Sequence, residues 1–309
     1  MVTFNRILCP VDFSDTSHKA LVYAATFAAW YDATIEVAHV APVFDDDLMP
    51  AVAAGSPGES LRLKSRRVLF EELRQFVASA GIARAHQTLI AQQGPVAEAI
   101  AELAAEHGVD LLVMGTHGRT GFNHLFLGSV TEKIVRSTAC PVLTVPPAAR
   151  VGLTGPVEFS RILCPIDYSP SSLKALKYAL NLGRQADGRV TVLHVLEYMD
   201  PMEPPEYVDA SILASRRHII DGARKRLRLA LSDEPGASCE VEEVLALNAH
   251  RASREIVARA AAGEADLIVM GAQGSKGLEL MLYGSSTHDV VRGAGCPVLT
   301  VRATATNVM

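Results

Sequence analysis

Short apolar runs alternate along this chain with longer stretches whose apolar residues recur at helical spacing. Arg6 to Pro10 reads as a strand, and Ser14 as the N-cap of an Ala- and Leu-rich helix that runs to about Tyr31. Ala33 to Val40 alternates and is rich in β-branched residues, which predicts a second strand. A loop from Ala41 to about Pro57 holds Asp45, Asp46 and Asp47, and a charged amphipathic helix is expected from about Glu59 to Ala80. A third strand is predicted near Ala85 to Ala91. Gly94 and Pro95 open a helix with Pro in its first turn, where a missing N–H is tolerated. Its apolar residues Val96, Ile100, Leu103 and Ala104 mark the buried face. A fourth apolar run ends at Met114, a glycine-containing loop follows, a helix is predicted from about Gly128 to Thr138, and Pro141 to Val145 closes the pattern as a fifth strand.

The whole pattern occurs twice. Arg6-Ile7-Leu8-Cys9-Pro10-Val11-Asp12-Phe13-Ser14 returns 155 positions later as Arg161-Ile162-Leu163-Cys164-Pro165-Ile166-Asp167-Tyr168-Ser169. His39-Val40 returns as His194-Val195, and Cys140-Pro141-Val142-Leu143-Thr144-Val145 as Cys296-Pro297-Val298-Leu299-Thr300-Val301. One domain is written twice, with units expected over 1–147 and 158–304 and a linker over 148–157. Strands that alternate with helices imply right-handed crossovers and a parallel sheet covered on both faces, an α/β fold.

At 309 residues the chain accommodates about two domains of ordinary size. Hydrophobic residues make up 49% and charged residues 20%, which excludes a disordered chain. No apolar run reaches the roughly 18 residues that cross a bilayer. The N-terminus reads as a strand rather than a signal peptide, so a cytoplasmic location is expected. A net charge of -5 argues against nucleic acid or anionic membrane as a general partner. Arg216, Arg217, Arg224, Lys225, Arg226 and Arg228 form a basic stretch that reads as a solvated helix face. The five cysteines contain no CxxC pair and read as reduced, small apolar residues.

The candidate chemistry lies at the ends of the apolar runs. Gly115-Thr116-His117-Gly118 is followed by nine residues and Gly128-Ser129; Gly271-Ala272-Gln273-Gly274 is followed by nine residues and Gly284-Ser285. A strand delivers the chain to a glycine loop and a helix begins at the last glycine, which suits an anion. Glycines let the backbone approach closely, and the first N–H groups of a helix have no partner within it. The loop is not a P-loop, and it follows the fourth strand rather than the first, where a dinucleotide fingerprint would stand. Asp12 and Asp167 fall at the end of the first strand of each copy, on the side where open α/β sheets bind ligands.

The doubled G-x2-G-x9-G-S pattern with its strand-end Asp resembles the ATP-binding branch of the universal stress protein family, over both halves nearly end to end. The resemblance implies two tandem Rossmann-like (adenine nucleotide alpha hydrolase-like) domains, each a five-stranded parallel sheet of order 3-2-1-4-5. It also implies site residues. In the first half, Asp12 and Val40 would meet adenine and ribose over a floor of Pro10 and Val11. Met114, Gly115, His117, Gly118 and Arg119 would wrap ribose and phosphates, and Gly128, Ser129, Val130 and Thr131 would complete the cradle. In the second half the matching residues are Pro165, Ile166, Asp167, Val195, Met270, Gly271, Gln273, Gly274, Gly284, Ser285, Ser286 and Thr287. ATP is the implied ligand, with any Mg²⁺ arriving on the nucleotide. The implied partners are the other half of the chain, as a pseudo-dimer, a second chain, and an unidentified protein whose surface nucleotide occupancy would alter.

The two copies differ in detail. His117 becomes Gln273, Arg119 becomes Ser275, Lys276 follows one position later, and Gly94-Pro95 becomes Asn248-Ala249. The two sites are therefore expected to be unequal. Plainer roles stand beside these. Asp12 and Asp167 can serve the following helix, His39 and His194 can be packed strand-end residues, His117 and His124 can be loop residues, and Asp45 to Asp47 can be solvated. No strained elbow surrounds Ser129 or Ser285, and no carboxylate is evidently placed to activate water, so fast hydrolysis is not expected. Slow ATP hydrolysis or adenylyl transfer, and a scaffold that binds no nucleotide, are the alternative functions.

Overall fold

A computed structural model describes residues 2–42, 66–80, 87–118, 127–151, 157–197, 210–232, 239–248, 250–273 and 284–303. The first half runs β1 (Arg6–Pro10), α1 (Asp15–Tyr31), β2 (Thr34–Ala41), α2 (Arg66–Ser79), β3 (Gln87–Gln93), α3 (Val96–Glu106), β4 (Leu111–Gly115), α4 (Ser129–Ser137) and β5 (Val142–Val145). The second runs β6 (Arg161–Pro165), α5 (Pro170–Ala186), β7 (Arg189–Glu197), α6 (Ala210–Ser232), β8 (Val241–Asn248), α7 (Ala252–Ala261), β9 (Leu267–Gly271), α8 (Ser285–Gly293) and β10 (Val298–Val301). The first part of the expected second helix, the Asp45 to Asp47 run, His124, Arg119, Gly274, Ser275, Lys276 and Ala249 lie outside the described residues.

Helix boundaries follow local chemistry. Ser14 caps α1 by accepting the Ser17 N–H at 3.1 Å, and Ser169 caps α5 by accepting the Ser172 N–H at 3.2 Å. Each cap is worth about 1 kcal/mol. Asp32 and Asp187 end these helices in the left-handed region at φ 52° and 50°, a conformation their short polar side chains tolerate. Pro95 is the N-cap of α3 rather than its first helical residue. At φ −65° and ψ 111° it is extended, and its carbonyl accepts the Ala99 N–H.

Ten strands form one sheet in the order β3-β2-β1-β4-β5-β10-β9-β6-β7-β8. Neighbours within each half are parallel, and the winding reverses between β1 and β4 and between β6 and β9. The halves meet where β5 and β10 pair antiparallel, with Leu143 opposite Leu299 and Val142 and Thr144 opposite Thr300 and Val298. Thr144 and Thr300 are buried there. Each donates its hydroxyl across the junction, to the Val298 carbonyl at 3.1 Å and the Val142 carbonyl at 3.2 Å, so neither polar group goes unsatisfied.

One face of the sheet carries a core shared by both halves. Phe4 packs on Tyr178 at 5.9 Å between ring centroids, and its counterpart Phe159 packs on Tyr23 at 5.7 Å. The Tyr23 hydroxyl donates to the Arg150 carbonyl at 2.7 Å, and Lys19 donates to the carbonyls of Pro147 and Ala149, so the connection between halves is fastened to α1. On the opposite face each half keeps its own cluster, one around Ile100 and Ile134 under α3 and α4, the other around Ile256 and Val290 under α7 and α8. Among the described residues no helix is long and apolar enough to cross a membrane.

Candidate functional site

β1 and β4 pair at Ile7–Leu111 and Leu8–Leu112, and their carboxyl ends lie at the winding reversal, the place where open α/β sheets form a ligand crevice. Pro10 and Val11 are buried in its floor, Met114 is 5% exposed at the end of β4, and Val40 lies buried near the end of β2. Asp12 is the first partly exposed residue beyond β1. Its Oδ1 accepts the Ser14 hydroxyl at 2.6 Å and the Ser14 N–H at 3.1 Å, and Ser14 in turn caps α1. Asp12 is therefore not the cap itself; it orients the cap.

The other oxygen, Oδ2, faces the glycine loop. A Cβ placed on Gly118 would stand 2.6 Å from it, so glycine lets the loop backbone lie against this carboxylate without displacing it. In the second half Asp167 Oδ1 accepts the Ser169 hydroxyl at 2.6 Å and the Ser169 N–H at 3.1 Å. Phe13 and Tyr168, the residues that follow, both sit in the left-handed region at φ 64° and 63°. Such backbone costs bulky residues on the order of 1–3 kcal/mol and persists where its surroundings hold it. Here it turns each ring back onto a strand-end histidine, Phe13 onto His39 at 4.4 Å and Tyr168 onto His194 at 4.7 Å.

The two histidines are packed rather than offered to a ligand through Nδ1. His39 Nδ1–H donates to the Val11 carbonyl at 2.8 Å and His194 Nδ1–H to the Ile166 carbonyl at 2.8 Å, which braces the backbone just before each Asp. Burial holds the His194 imidazolium below its ordinary pKa, with the Arg226 charge acting the same way and the Ile166 hydrogen bond opposing.

The first glycine of each loop has a packing role that its spacing did not reveal. A Cβ on Gly115 would lie 2.8 Å from the Thr16 methyl, and one on Gly271 within 2.9 Å of Ser171 Oγ, the Ser171 carbonyl carbon and the Ser172 nitrogen. Glycine therefore lets the sheet meet the first turn of α1 and α5. The far end of each loop is closed by backbone, with the Gly128 N–H on the Thr116 carbonyl at 2.8 Å and the Gly284 N–H on the Ala272 carbonyl at 3.0 Å.

Gly128 and Gly284 are the N-caps of α4 and α8, and neither brings a capping side chain to the first turn. The N–H groups of Ser129, Val130 and Thr131, and of Ser285, Ser286 and Thr287, thus have no partner within their helices. Ser129 and Ser285 are exposed. Thr131 and Thr287 are buried, and their hydroxyls donate to the carbonyls of Gly115 at 2.8 Å and Gly271 at 2.9 Å. These threonines pin the helix start to the strand end, which leaves only their N–H groups directed as helix amides. The sequence signal for this was the hydroxyl at the same offset after G-S in both copies.

Pro165, Ile166 and Met270 are buried like their counterparts, while Val195 is only half-buried. The loop beginnings diverge. Thr116 Oγ1 lies 2.8 Å from His117 Nδ1, whereas the Gln273 carbonyl accepts the Ser171 hydroxyl and lies 3.2 Å from Ser169 Oγ. Among the described residues no cluster of three or more His, Cys, Asp or Glu could hold a metal ion.

Residues 3–146 and again 158–302 match the model of the Universal stress protein family. The chain belongs to the universal stress protein family. Single-unit relatives align with one half: a universal stress protein of Methanocaldococcus jannaschii is 30% identical over 142 residues, 46% of this chain and 82% of that one. Another from Thermus aquaticus is 36% identical over 143 residues, 46% of this chain and 98% of that one. A universal stress protein of Mycobacterium bovis aligns through both halves, 25% identical over 316 residues, covering 96% of this chain and 94% of its own. The crystal structure of a universal stress protein from Archaeoglobus fulgidus shares the fold, with a TM-score of 0.60 at 21% identity and 98% of each chain covered.

Proposed function

We propose that this universal stress protein binds ATP in the crevice of each half and acts as a nucleotide-dependent regulator in the stress response. The observation that carries the reading is the meeting of Asp12 Oδ2 with the Gly118 backbone beside the uncapped first turn of α4. A carboxylate acceptor suits ribose hydroxyls or the adenine amino group. Uncapped amides at a helix start suit phosphate oxygens, with the helix dipole contributing up to about 1–2 kcal/mol.

In this reading Pro10, Val11, Asp12, Val40 and Met114 hold the nucleoside. Gly115, His117, Gly118, Arg119, Gly128, Ser129, Val130 and Thr131 surround the phosphates. Pro165, Ile166, Asp167, Val195, Met270, Gly271, Gln273, Gly274, Gly284, Ser285, Ser286 and Thr287 form the second site, within units over 1–147 and 158–304. Mg²⁺ enters on the phosphates. Occupancy then biases the segments beyond β2 and β7, Ala41 to Pro57 and Leu196 to Pro205, toward one arrangement that a partner protein reads, since a ligand shifts an equilibrium only by its differential affinity.

The test is to denature the purified protein and identify released nucleotide by mass spectrometry, then titrate nucleotide-free protein with MgATP by calorimetry. Two binding events of unequal affinity are expected. Absence of both retained nucleotide and saturable binding at millimolar ATP overturns the proposal.

A further inference from the structure

The two halves differ sharply on the face of the sheet that carries α1 and α2, or α5 and α6. In the first half Phe76 of α2 fills the space between the two helices. Its ring stands edge-on to Phe13 at 5.4 Å and to His18 at 5.7 Å. Buried Leu69 and Leu73 on α2 take the positions of buried Ala223 and Leu227 on α6, the same four-residue step, which puts Ala230 where Phe76 would be. Leu173 likewise stands where the first half has His18.

Where the second half lacks that ring there is a cavity of about 420 Å³, with Tyr168, Leu173, Leu176, Leu229 and Ala230 in its lining. That volume falls within the ~300–1,000 Å³ of small-molecule pockets. Leu229 remains 52% exposed, a large apolar residue unspent on the core. The remaining lining residues are both cations, Arg226 and Lys177. The Arg226 guanidinium lies 5.6 Å over the Tyr168 ring, and among the described residues no carboxylate pairs with it. Its neighbours Arg224 and Arg228, by contrast, reach Asp221 and Glu243.

We infer that the cavity between α5 and α6 binds a soluble amphipathic organic anion, a medium-length apolar chain ending in a carboxylate. The chain lies along Leu173, Leu176 and Ala230, and the head group meets Arg226 and Lys177. The apolar wall alone would accept a neutral molecule; the two cations select an anion, because a charge-assisted hydrogen bond is the stronger kind. A membrane lipid is disfavoured by the chain's net charge of -5. The inference does not depend on nucleotide binding.

Calorimetric titration of the full chain with decanoate, kept below its micelle concentration, tests it. One saturable site is expected. Ala230→Phe, which restores the ring of the first half, should weaken binding on the order of tenfold or more while the protein stays folded by circular dichroism. Arg226→Glu, at an exposed position, supplies the readout if the first variant fails to fold. It too should weaken decanoate about tenfold, yet leave decanol nearly unchanged. Absence of saturable decanoate binding overturns the inference. So does equal binding by the folded Ala230→Phe protein, or an equal response of decanoate and decanol to Arg226→Glu. Flotation on phosphatidylglycerol vesicles without any binding of free decanoate also overturns it, in favour of a membrane surface.

Discussion

The described ends of the two glycine loops share their backbone contacts and differ in the side chains beside them. Both begin where a strand presses against the first turn of a helix, both close through a glycine N–H, and both are pinned by a threonine hydroxyl on the strand-end carbonyl. At His117 the neighbouring contact is Thr116 Oγ1; at Gln273 the backbone carbonyl is drawn to Ser171 at the start of α5. The backbone contacts at the described ends of the loops have therefore been kept in both halves, while His117 in one stands where Gln273 does in the other. In the second loop the Gln273 carbonyl ties the chain to the start of α5 through Ser171.

The largest effect should come from the strand–helix approach. Gly271→Ala would drive Cβ into two backbone atoms and Ser171 Oγ, and is expected to cost about 3 kcal/mol of unfolding free energy. Gly115→Ala meets mainly the Thr16 methyl and should cost about 1–2 kcal/mol. Equal losses in urea denaturation would remove this asymmetry. The threonine pins predict the opposite, near-equality: Thr131→Val and Thr287→Val should each cost about 1–2 kcal/mol, since each leaves a strand-end carbonyl without its donor.

For ligand binding, Asn is the sharper substitution at the strand-end acids. Asp12→Asn keeps an Oδ1 acceptor for Ser14 but points an amide at the loop in place of Oδ2. It should weaken one of two ATP events on the order of tenfold, and Asp167→Asn the other. Loss of the same event in both variants would show that the halves do not bind separately.

The smallest effect is a pH slope. The folded protein holds His194 below the ordinary 6.5, so as pH falls through about 6.5 the unfolded chain binds more protons and stability drops. His194→Gln, which can still donate to Ile166, should flatten the decline in urea midpoint between about pH 7 and 5.5.

Much of this is legible in the sequence. The doubled run from Arg6 to Ser14 gave the repeat, Ser14 declared its helix start, and the strand-end placement of Asp12 followed from element order alone. What was hidden depended on neighbours distant in sequence. Nothing near Gly115 announces that Thr16 lies against it, and no local rule puts Phe13 or Tyr168 at positive φ; the packing against His39 and His194 does. Joining the halves into one sheet left a fainter trace. Val142 to Val145 and Val298 to Val301 would be edge strands in isolation, and edges are ordinarily charged or bulged. Two apolar runs without such protection imply that the edge is covered. The cavity left by Ala230 was invisible because the register between α2 and α6 emerges only from their buried residues.

The pairing of β5 with β10 also changes what mutation can do. Where two identical chains meet on a two-fold axis, every substitution is made twice, and a change useful on one side must be tolerable on the other. Here Leu143 and Leu299 face each other from separate codons, and each side of the seam can alter alone. The covalent link also fixes the ratio of the two halves at one to one and makes their association intramolecular. Within a chain the seam neither exchanges partners nor comes apart on dilution, so an asymmetric pair, once formed, is inherited as a unit.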